Sequence, residues 1–181
     1  MQKITLTIAV LLLLASTAFA QTFTLRSGDT GGQFTKKQEF NGFGCTGENI
    51  SPQLSWANAP EGTKSFAITV FDPDAPTGSG WWHWVMFDLP ANTTELLANA
   101  GNPAKNIAPK GAIQSPTSFG AGGFGGACPP VGHGLHQYIF TIHALKTEKL
   151  GLDATANPSV VGYYLWQNTI AKASIVMYYQ R

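Results

Sequence analysis

The sequence predicts a mainly β protein whose mature part forms one domain. Twenty glycines and eleven prolines separate short segments rich in Val, Ile, Phe, Trp and Tyr, and this alternation is typical of strands joined by turns. Residues 136–145 carry apolar side chains on both alternating faces, which indicates a central strand in a sandwich or against another layer. After the first 20 residues the chain is long enough for one ordinary core and too short for two.

The amino-terminal residues have the layout of a secretory signal peptide. Lys3 precedes an apolar stretch that ends at Leu14, and a run of small residues ends at Ala20, the order expected around a cleavage site. The apolar stretch is too short to span a bilayer comfortably. We therefore expect residues 1–20 to be removed and residues 21–181 to form a periplasmic or secreted domain that does not span the membrane.

The charge of the chain excludes two classes of partner. The net charge is +1, and only 12% of the residues are charged. Nucleic acids and anionic membrane surfaces attract strongly basic surfaces, so neither is an expected partner.

The two cysteines, Cys45 and Cys128, both lie in the exported part of the chain. An oxidising compartment favours a disulfide between them, and the alternative is two separate buried thiols. Closing such a long loop stabilises the fold by about 4 kcal/mol in the chain-entropy model.

Patterns along the chain predict the individual elements. Strands are expected at 53–56, 65–71, 83–89, 136–145 and 173–179, and a helix at 157–171. The long connection at 91–135 has little periodicity, and it is expected to be functional or ordered by its own packing. Its first part has the composition of a helical turn capped by Asn92 or Thr93.

The strands at 65–71 and 83–89 are joined by a turn region rich in Pro, Gly and Ser, so we expect an antiparallel pair. A hairpin places the end of its first strand beside the start of its second. Asp72, Asp74 and His83 are therefore expected to converge.

Several motifs have a functional and a structural interpretation. The run at 120–125 fits the dinucleotide pattern G-x-G-x-x-G, but no βαβ unit surrounds it; we interpret it as a tight loop that could offer amides to an anion. His133 and His136 are spaced like a metal pair, yet they lie in a loop entering a strand. Zinc would require Asp72, Asp74, His83 and His136 to converge as ligands, and no dedicated metal is predicted.

Other residue types carry weaker signals. No serine lies in a nucleophile motif, so a hydrolase would lack an identifiable nucleophile. Asp72 and Asp74 could act as an acid and a base, or they could serve the turn at Pro73. Of the three tryptophans at 81, 82 and 84, two are expected in the core and one in a pocket. His143 is expected to be a packed or rim residue.

Three motifs in order resemble the phosphatidylethanolamine-binding protein family, also called Raf kinase inhibitor-like proteins. They are Asp72-Pro73-Asp74-Ala75-Pro76, Gly80-Trp81-Trp82-His83-Trp84 and Gly134-Leu135-His136-Gln137-Tyr138. The runs at 41–45 and 65–70 are similar to its bacterial branch. The resemblance implies a β-sandwich of two antiparallel sheets with a few short helices and a small anion pocket at one end.

The resemblance also implies the site. It places six residues around an anionic ligand such as phosphate or a phosphorylated head group: Asp72, Asp74, His83, Pro130, His136 and Tyr138. Histidine and tyrosine would donate to the anion, while the carboxylates would hold His83 and His136 or receive an amine. If a protonated histidine is needed, affinity should weaken as pH rises through about 6.5. No cofactor and no catalytic residue are implied.

Two departures from the family pattern bear on function. Gln137 stands where animal relatives commonly carry arginine, and the longer carboxy-terminal helix of those relatives is not recognisable. Regulation of a eukaryotic kinase is therefore poorly supported. We expect a non-catalytic binding protein. The resemblance is also compatible with a homodimer. One alternative is a protein that acts by protein contact, as an inhibitor of a protease or kinase or as a signalling modulator. The other alternative is a hydrolase.

Overall fold

The computed structural model describes residues 21–181, so the predicted signal peptide at 1–20 lies outside the described residues. The described chain contains ten strands, one α-helix and a single-turn 3₁₀ helix. The strands are β1 Thr24–Arg26, β2 Asn41–Gly42, β3 Cys45–Thr46, β4 Leu54–Ala57, β5 Ser65–Asp72, β6 Trp81–Pro90, β7 Glu95–Leu96, β8 Ile113–Gln114, β9 His136–Leu145 and β10 Thr169–Tyr179. The helix α1 is Pro158–Asn168, and the 3₁₀ turn is Pro103–Lys105.

These strands form two main antiparallel sheets and a small ribbon. The larger sheet has the order β10-β9-β5-β6-β8, the smaller has the order β1-β4-β7, and β2 pairs with β3. The predicted hairpin is present, and Asp72 at the end of β5 pairs with Trp81 at the start of β6. The prediction of a mainly β sandwich is confirmed.

The main core lies between the two sheets. Alternate residues of β9 from His136 to Ala144 are buried, and Phe140 and Ile142 pack there with Leu54 of β4 and Leu96 of β7. This burial is the two-residue alternation read from the sequence.

The other face of the larger sheet is covered by the helix. Val161 and Leu165 of α1 pack with Ala67, Val85 and Leu145 of the sheet in a second apolar cluster. Asn157 caps the helix by accepting a hydrogen bond from the amide of Val160 at 3.0 Å, and Pro158 occupies its first turn, where proline is tolerated. The larger sheet is therefore covered on both faces, and Leu145 of β9 packs on the side of the helix.

The structure corrects two element predictions. The helical turn expected at Asn92 or Thr93 is wrong, because the chain turns there and continues into β7; the 3₁₀ turn lies further on and is capped by Asn102. Helix α1 also ends three residues before the predicted 171, since β10 begins at Thr169.

The disulfide prediction is confirmed within the described chain. Cys45 follows the β2–β3 turn and bonds to Cys128, with their Cα atoms 5.9 Å apart. Arg181 supports the same junction, because its Nε donates to the Pro129 carbonyl at 2.8 Å and its Nη1 donates to the Gly44 carbonyl at 2.9 Å. Two segments far apart in sequence are thus fixed side by side.

None of the helices in residues 21–181 has the length and apolar character needed to cross a membrane.

Candidate functional site

A small cavity of about 160 Å³ opens at one end of the larger sheet, where β5 ends and β6 and β9 begin. Five of the six residues predicted from the resemblance line it: Asp72, His83, Pro130, His136 and Tyr138. The hairpin brings in the first two, and β9 brings in the last two. Asp74 is not among the residues that line this cavity.

Asp72 is buried in the wall of the cavity, with only 3% of its surface exposed, and both of its carboxylate oxygens accept hydrogen bonds. Its Oδ1 accepts a hydrogen bond from the amide of Asp74 at 2.8 Å, which closes the turn after β5. Its Oδ2 lies 2.8 Å from Nδ1 of His136, and because a carboxylate accepts, His136 donates. Asp72 therefore serves the turn and holds His136, as expected.

His133 forms a contact that the spacing of the motif did not predict. Its Nδ1 lies 2.8 Å from Nε2 of His136. A neutral His136 that donates to Asp72 through Nδ1 accepts at Nε2, so His133 donates. The sequence spacing did not define a shared face for these two histidines, and they meet because the loop turns His133 back over the strand start.

His83 is held by the backbone and not by a carboxylate, which corrects the expected role of the acids at this residue. Its Nδ1 lies 2.7 Å from the carbonyl oxygen of Gly125, so Nδ1 carries the proton. Burial lowers the pKa of His83 to about 4, against the opposing effects of the Gly125 hydrogen bond and the nearby Asp72. His83 is therefore neutral at pH 7, and its Nε2 presents a lone pair.

Tyr138 has a buried hydroxyl with no hydrogen-bond partner among the described residues. Only 1% of the residue is exposed, and its ring packs edge-on against His83 with centroids 5.0 Å apart. Burial, together with the negative charge of Asp72, raises the pKa of the phenol above its usual value. The hydroxyl stays protonated, so a group in the cavity can receive its hydrogen bond.

Asp74 stabilises the entrance of β9 and does not face the cavity. Its Oδ2 accepts from the amide of Gln137 at 2.8 Å and from the Gln137 side chain at 3.4 Å. Residue 137, where animal relatives commonly carry arginine, is therefore tied to the turn by this carboxylate.

Aromatic residues that the sequence analysis missed complete the walls. Phe43 and Phe119 line the cavity, and their rings stack with centroids 5.8 Å apart and an interplanar angle of 13°. Trp81 packs edge-on against Phe119 at 5.4 Å. Phe43 lies two residues before a cysteine of the disulfide, but no local pattern marks Phe119.

The glycine-rich loop has a structural role. The amide of Gly125 donates to the His83 carbonyl at 2.8 Å, and the amide of Gly126 donates to Oδ1 of Asn49 at 2.7 Å. A Cβ at Gly126 would overlap the backbone at Gln38. The expectation of close backbone approach is confirmed, but the expectation that this loop adds amides for an anion is wrong at Gly125 and Gly126.

The three tryptophans lie in three environments. Trp81 lines the cavity, Trp84 is fully buried, and Trp82 lines a second cavity on the opposite face of the sheet. The expectation that only one of them lines a pocket is therefore wrong. The cause is the alternation of β6, which points Trp82 away from its neighbours.

The zinc alternative finds no ligand set in the part of the chain that the structure describes. No group of three or more His, Cys, Asp or Glu side chains is arranged there to hold a metal ion. Asp74 faces Gln137, and Nδ1 of His83 is used by a carbonyl, so the four residues proposed for zinc do not share a centre.

Comparison with known proteins identifies the family. The model of the phosphatidylethanolamine-binding protein family matches residues 30–180. The chain belongs to this family. The recognition made from the three motifs is therefore confirmed, and the cavity lies where the motifs of the phosphatidylethanolamine-binding protein family converge.

Bacterial relatives extend the comparison over nearly the whole chain. The protein YbcL of Escherichia coli is 49% identical over 173 residues, which cover 94% of each chain. The protein YbhB of Escherichia coli is 47% identical over 151 residues, covering 83% of this chain and 92% of the relative. Both are similar to this phosphatidylethanolamine-binding family member in length as well as in sequence.

Solved structures of the phosphatidylethanolamine-binding family agree with the fold. The crystal structure of Escherichia coli YbcL, described as a new member of the mammalian family, superposes with a TM-score of 0.85 at 50% identity, covering 88% of this chain and 98% of that one. A homologue from Chlamydia trachomatis gives a TM-score of 0.73 at 26% identity, covering 88% and 97%.

Proposed function

We propose that this protein binds a small phosphate-bearing molecule in the cavity at the end of the larger sheet and performs no chemistry on it. The observation that carries the proposal is the hydroxyl of Tyr138, which is buried, protonated and without a hydrogen-bond partner in residues 21–181. A buried polar group without a partner costs about 1–3 kcal/mol. A bound oxyanion that accepts from this hydroxyl would remove that cost.

The neutral state of His83 selects among anions. Its Nε2 offers a lone pair at pH 7, because Nδ1 donates to Gly125 and the pKa is about 4. An anion that carries its own acidic proton, such as a singly protonated phosphate ester, can donate to Nε2. An anion without a proton can accept a hydrogen bond from Nε2 only when His83 is protonated. Phosphate is therefore a better match than sulfate.

The size and walls of the cavity limit the ligand further. A volume of about 160 Å³ is below the range of about 300–1,000 Å³ typical of sites for drug-sized ligands. Only a head group fits inside, and the rest of a larger molecule would lie at the mouth. Phe43 and Phe119 would contact its carbon atoms, which supports a phosphorylated organic molecule such as phosphoethanolamine.

The lining residues support a non-catalytic role. Thr77 lines the cavity, but its hydroxyl donates to the Gly80 carbonyl at 2.6 Å and is not paired with an imidazole. Cys128 is oxidised in the disulfide. An activated nucleophile needs an adjacent base, and neither residue has one.

Export to an oxidising compartment is part of the proposal. The disulfide between Cys45 and Cys128 supports it, since such bonds persist in secreted and periplasmic proteins. A relative in Mycobacterium tuberculosis that is named as the lipoprotein LppC is 37% identical over 103 residues, 57% of this chain and 47% of the relative. Expression with residues 1–20 intact, followed by cell fractionation and mass determination, tests cleavage after Ala20.

Calorimetric titration with phosphoethanolamine tests the binding function. The wild type is expected to bind with one site, and Tyr138→Phe is expected to bind about 10- to 100-fold more weakly, the usual cost of a lost hydrogen bond to a charged group. Tyr178→Phe is the matched control, because Tyr178 is exposed on β10. Equal affinity for wild type and Tyr138→Phe would contradict the proposal.

The alternatives give different outcomes in the same preparation. Phosphate release from phosphoester substrates, abolished by Thr77→Ala, would favour a hydrolase. Inhibition of a protein target that survives His136→Ala would favour function by protein contact away from the cavity.

A further inference from the structure

We propose that a second cavity, on the face of the larger sheet covered by α1, binds a small aromatic carboxylate. We call it the sheet–helix cavity. It has a volume of about 590 Å³ and lies between the strands β5, β6, β9 and β10 and the second half of the helix. This volume is within the range of sites for small organic ligands. It is more than three times the volume of the cavity at the end of the larger sheet, which we call the head-group cavity.

The walls of the sheet–helix cavity include apolar and aromatic side chains. Phe71 and Trp82 form one side, with ring centroids 4.6 Å apart, and Leu165 of α1 forms another. Trp166 lies at the opening with 76% of its surface exposed. An exposed tryptophan beside an aromatic wall is a surface on which a planar ring can stack.

One cation gives the cavity its charge. Lys172 is the sole Lys, Arg, Asp or Glu among the residues that line it, and within residues 21–181 it makes no salt bridge. His143 also lines the cavity but adds no charge at pH 7, since burial and then the nearby Lys172 lower its pKa to about 4. An apolar body with one negative group therefore complements the cavity in shape and charge.

Hydroxyl groups add polar contacts beside this cation. Thr69 and Thr141 line the cavity, and His143 joins the hydroxyls of Thr69 and Thr169 at 3.5 and 3.2 Å. These groups can contact a carboxylate near Lys172. The combination of apolar walls with a few convergent polar groups is typical of ligand sites.

The sheet–helix cavity is separate from the head-group cavity. Along β9, His136 and Tyr138 point to one face, while Ile139, Thr141 and His143 point to the other. The proposal is therefore independent of the function proposed above.

The test uses 2-naphthoate as the probe and 2-naphthamide as its neutral analogue, each titrated by calorimetry against the full domain at pH 7. We expect saturable one-site binding of 2-naphthoate, at least tenfold tighter than that of the amide. Lys172→Gln is expected to remove this preference, and Lys105→Gln, which removes an exposed lysine elsewhere, is expected to keep it. His136→Ala is expected to leave naphthoate affinity unchanged.

A blocking variant tests the location. Gly162 lies in α1 and lines the cavity, and a Cβ there would meet nothing within 4 Å apart from its chain neighbours and the backbone of its own helix. Gly162→Leu is expected to fill the cavity, abolish naphthoate binding and preserve the fold, since leucine favours helix more than glycine does. Three results would overturn the proposal: no saturable binding, unchanged binding in Gly162→Leu, or equal affinity for acid and amide. Naphthoate that acts only by dissociating a dimer, seen by analytical ultracentrifugation, would overturn it as well.

Discussion

Nδ1 of His133 lies 2.8 Å from Nε2 of His136, and Nδ1 of His136 lies 2.8 Å from the carboxylate of Asp72. Hydrogen bonds thus connect the buried Asp72, through His136, to the exposed imidazole of His133. The nitrogen of His136 that would face a ligand is already used by His133. A ligand that reaches His136 must therefore replace this hydrogen bond.

Replacement of His133 is expected to strengthen phosphate binding. His133→Ala frees Nε2 of His136, and a hydrogen bond of about 1 kcal/mol no longer competes, so affinity for phosphoethanolamine should rise about fivefold. Calorimetric titration measures the change, with Leu135→Ala as the control for a loop substitution. A weaker affinity in His133→Ala would show that His133 contacts the ligand directly.

The affinity for sulfate is expected to depend on pH more steeply than the affinity for phosphoethanolamine. Free His83 is neutral above pH about 4, so the binding of sulfate must be accompanied by the protonation of His83. Its affinity should fall by up to about tenfold for each unit of rising pH above that value. A phosphate ester brings its own proton, with a second pKa near ~6, so its affinity should stay level up to that region.

Titrations in buffers of different ionisation enthalpy count the protons taken up. His83→Gln is expected to remove the pH dependence for sulfate, because an amide does not titrate. Binding of sulfate without proton uptake between pH 5 and 7 would show that His83 does not contact the anion.

The fold is expected to lose stability in mild acid through two histidines. The pKa values of His83 and His143 are lowered to about 4 by burial, and in the unfolded chain they return to about 6.5. Between these values the unfolded state binds more protons, so the free energy of unfolding falls as pH falls, by up to about 1.4 kcal/mol per pH unit for each group. The raised pKa of Asp88 opposes this in the lower part of the range.

Urea denaturation from pH 7 to pH 4.5 measures the loss. His143→Gln is expected to reduce the slope by about half, because one of the two buried histidines no longer titrates. A slope that is the same in His143→Gln and the wild type would mean that His143 takes up its proton over the same pH range in the folded and unfolded states.

Removal of the disulfide is expected to destabilise the domain and loosen the cavity wall. The bond closes a loop between residues 83 positions apart, and the chain-entropy model gives about 4–5 kcal/mol for that length. The double variant Cys45→Ser/Cys128→Ser should lose about this much in urea denaturation. Phosphoethanolamine affinity should fall too, because Phe43 and Pro130 lie beside the two cysteines. Unchanged stability after reduction of the wild type would contradict this.

Local sequence patterns predicted those parts of the site whose geometry depends on residues close together in the chain. Asp72 and His83 meet because a turn between two strands forces the ends of those strands together, and His136 and Tyr138 share a face because a strand alternates. The wrong helical turn at Asn92 has a related explanation. Asparagine and threonine serve turns as readily as helix caps, so a cap residue without a following apolar period does not specify a helix.

Contacts between distant segments escaped prediction. The Gly125 carbonyl that fixes the tautomer of His83 lies 42 residues away from it, and Phe119 reaches Phe43 across 76 positions of sequence. No periodicity connects such residues. The protonation state of His83, and with it the kind of anion that the proposed site would prefer, depends on these contacts and on burial.

The sequence alone determined five of the ten strands, the hairpin, the family and five side chains around one cavity, because these depend on short-range alternation, turn chemistry and motifs. The tertiary structure decided which nitrogen of His83 is free, left the Tyr138 hydroxyl without a partner among the described residues, and separated Trp81 from Trp82 into two cavities. Those properties depend on desolvation and on the atoms that other parts of the chain bring close, and packing alone sets both.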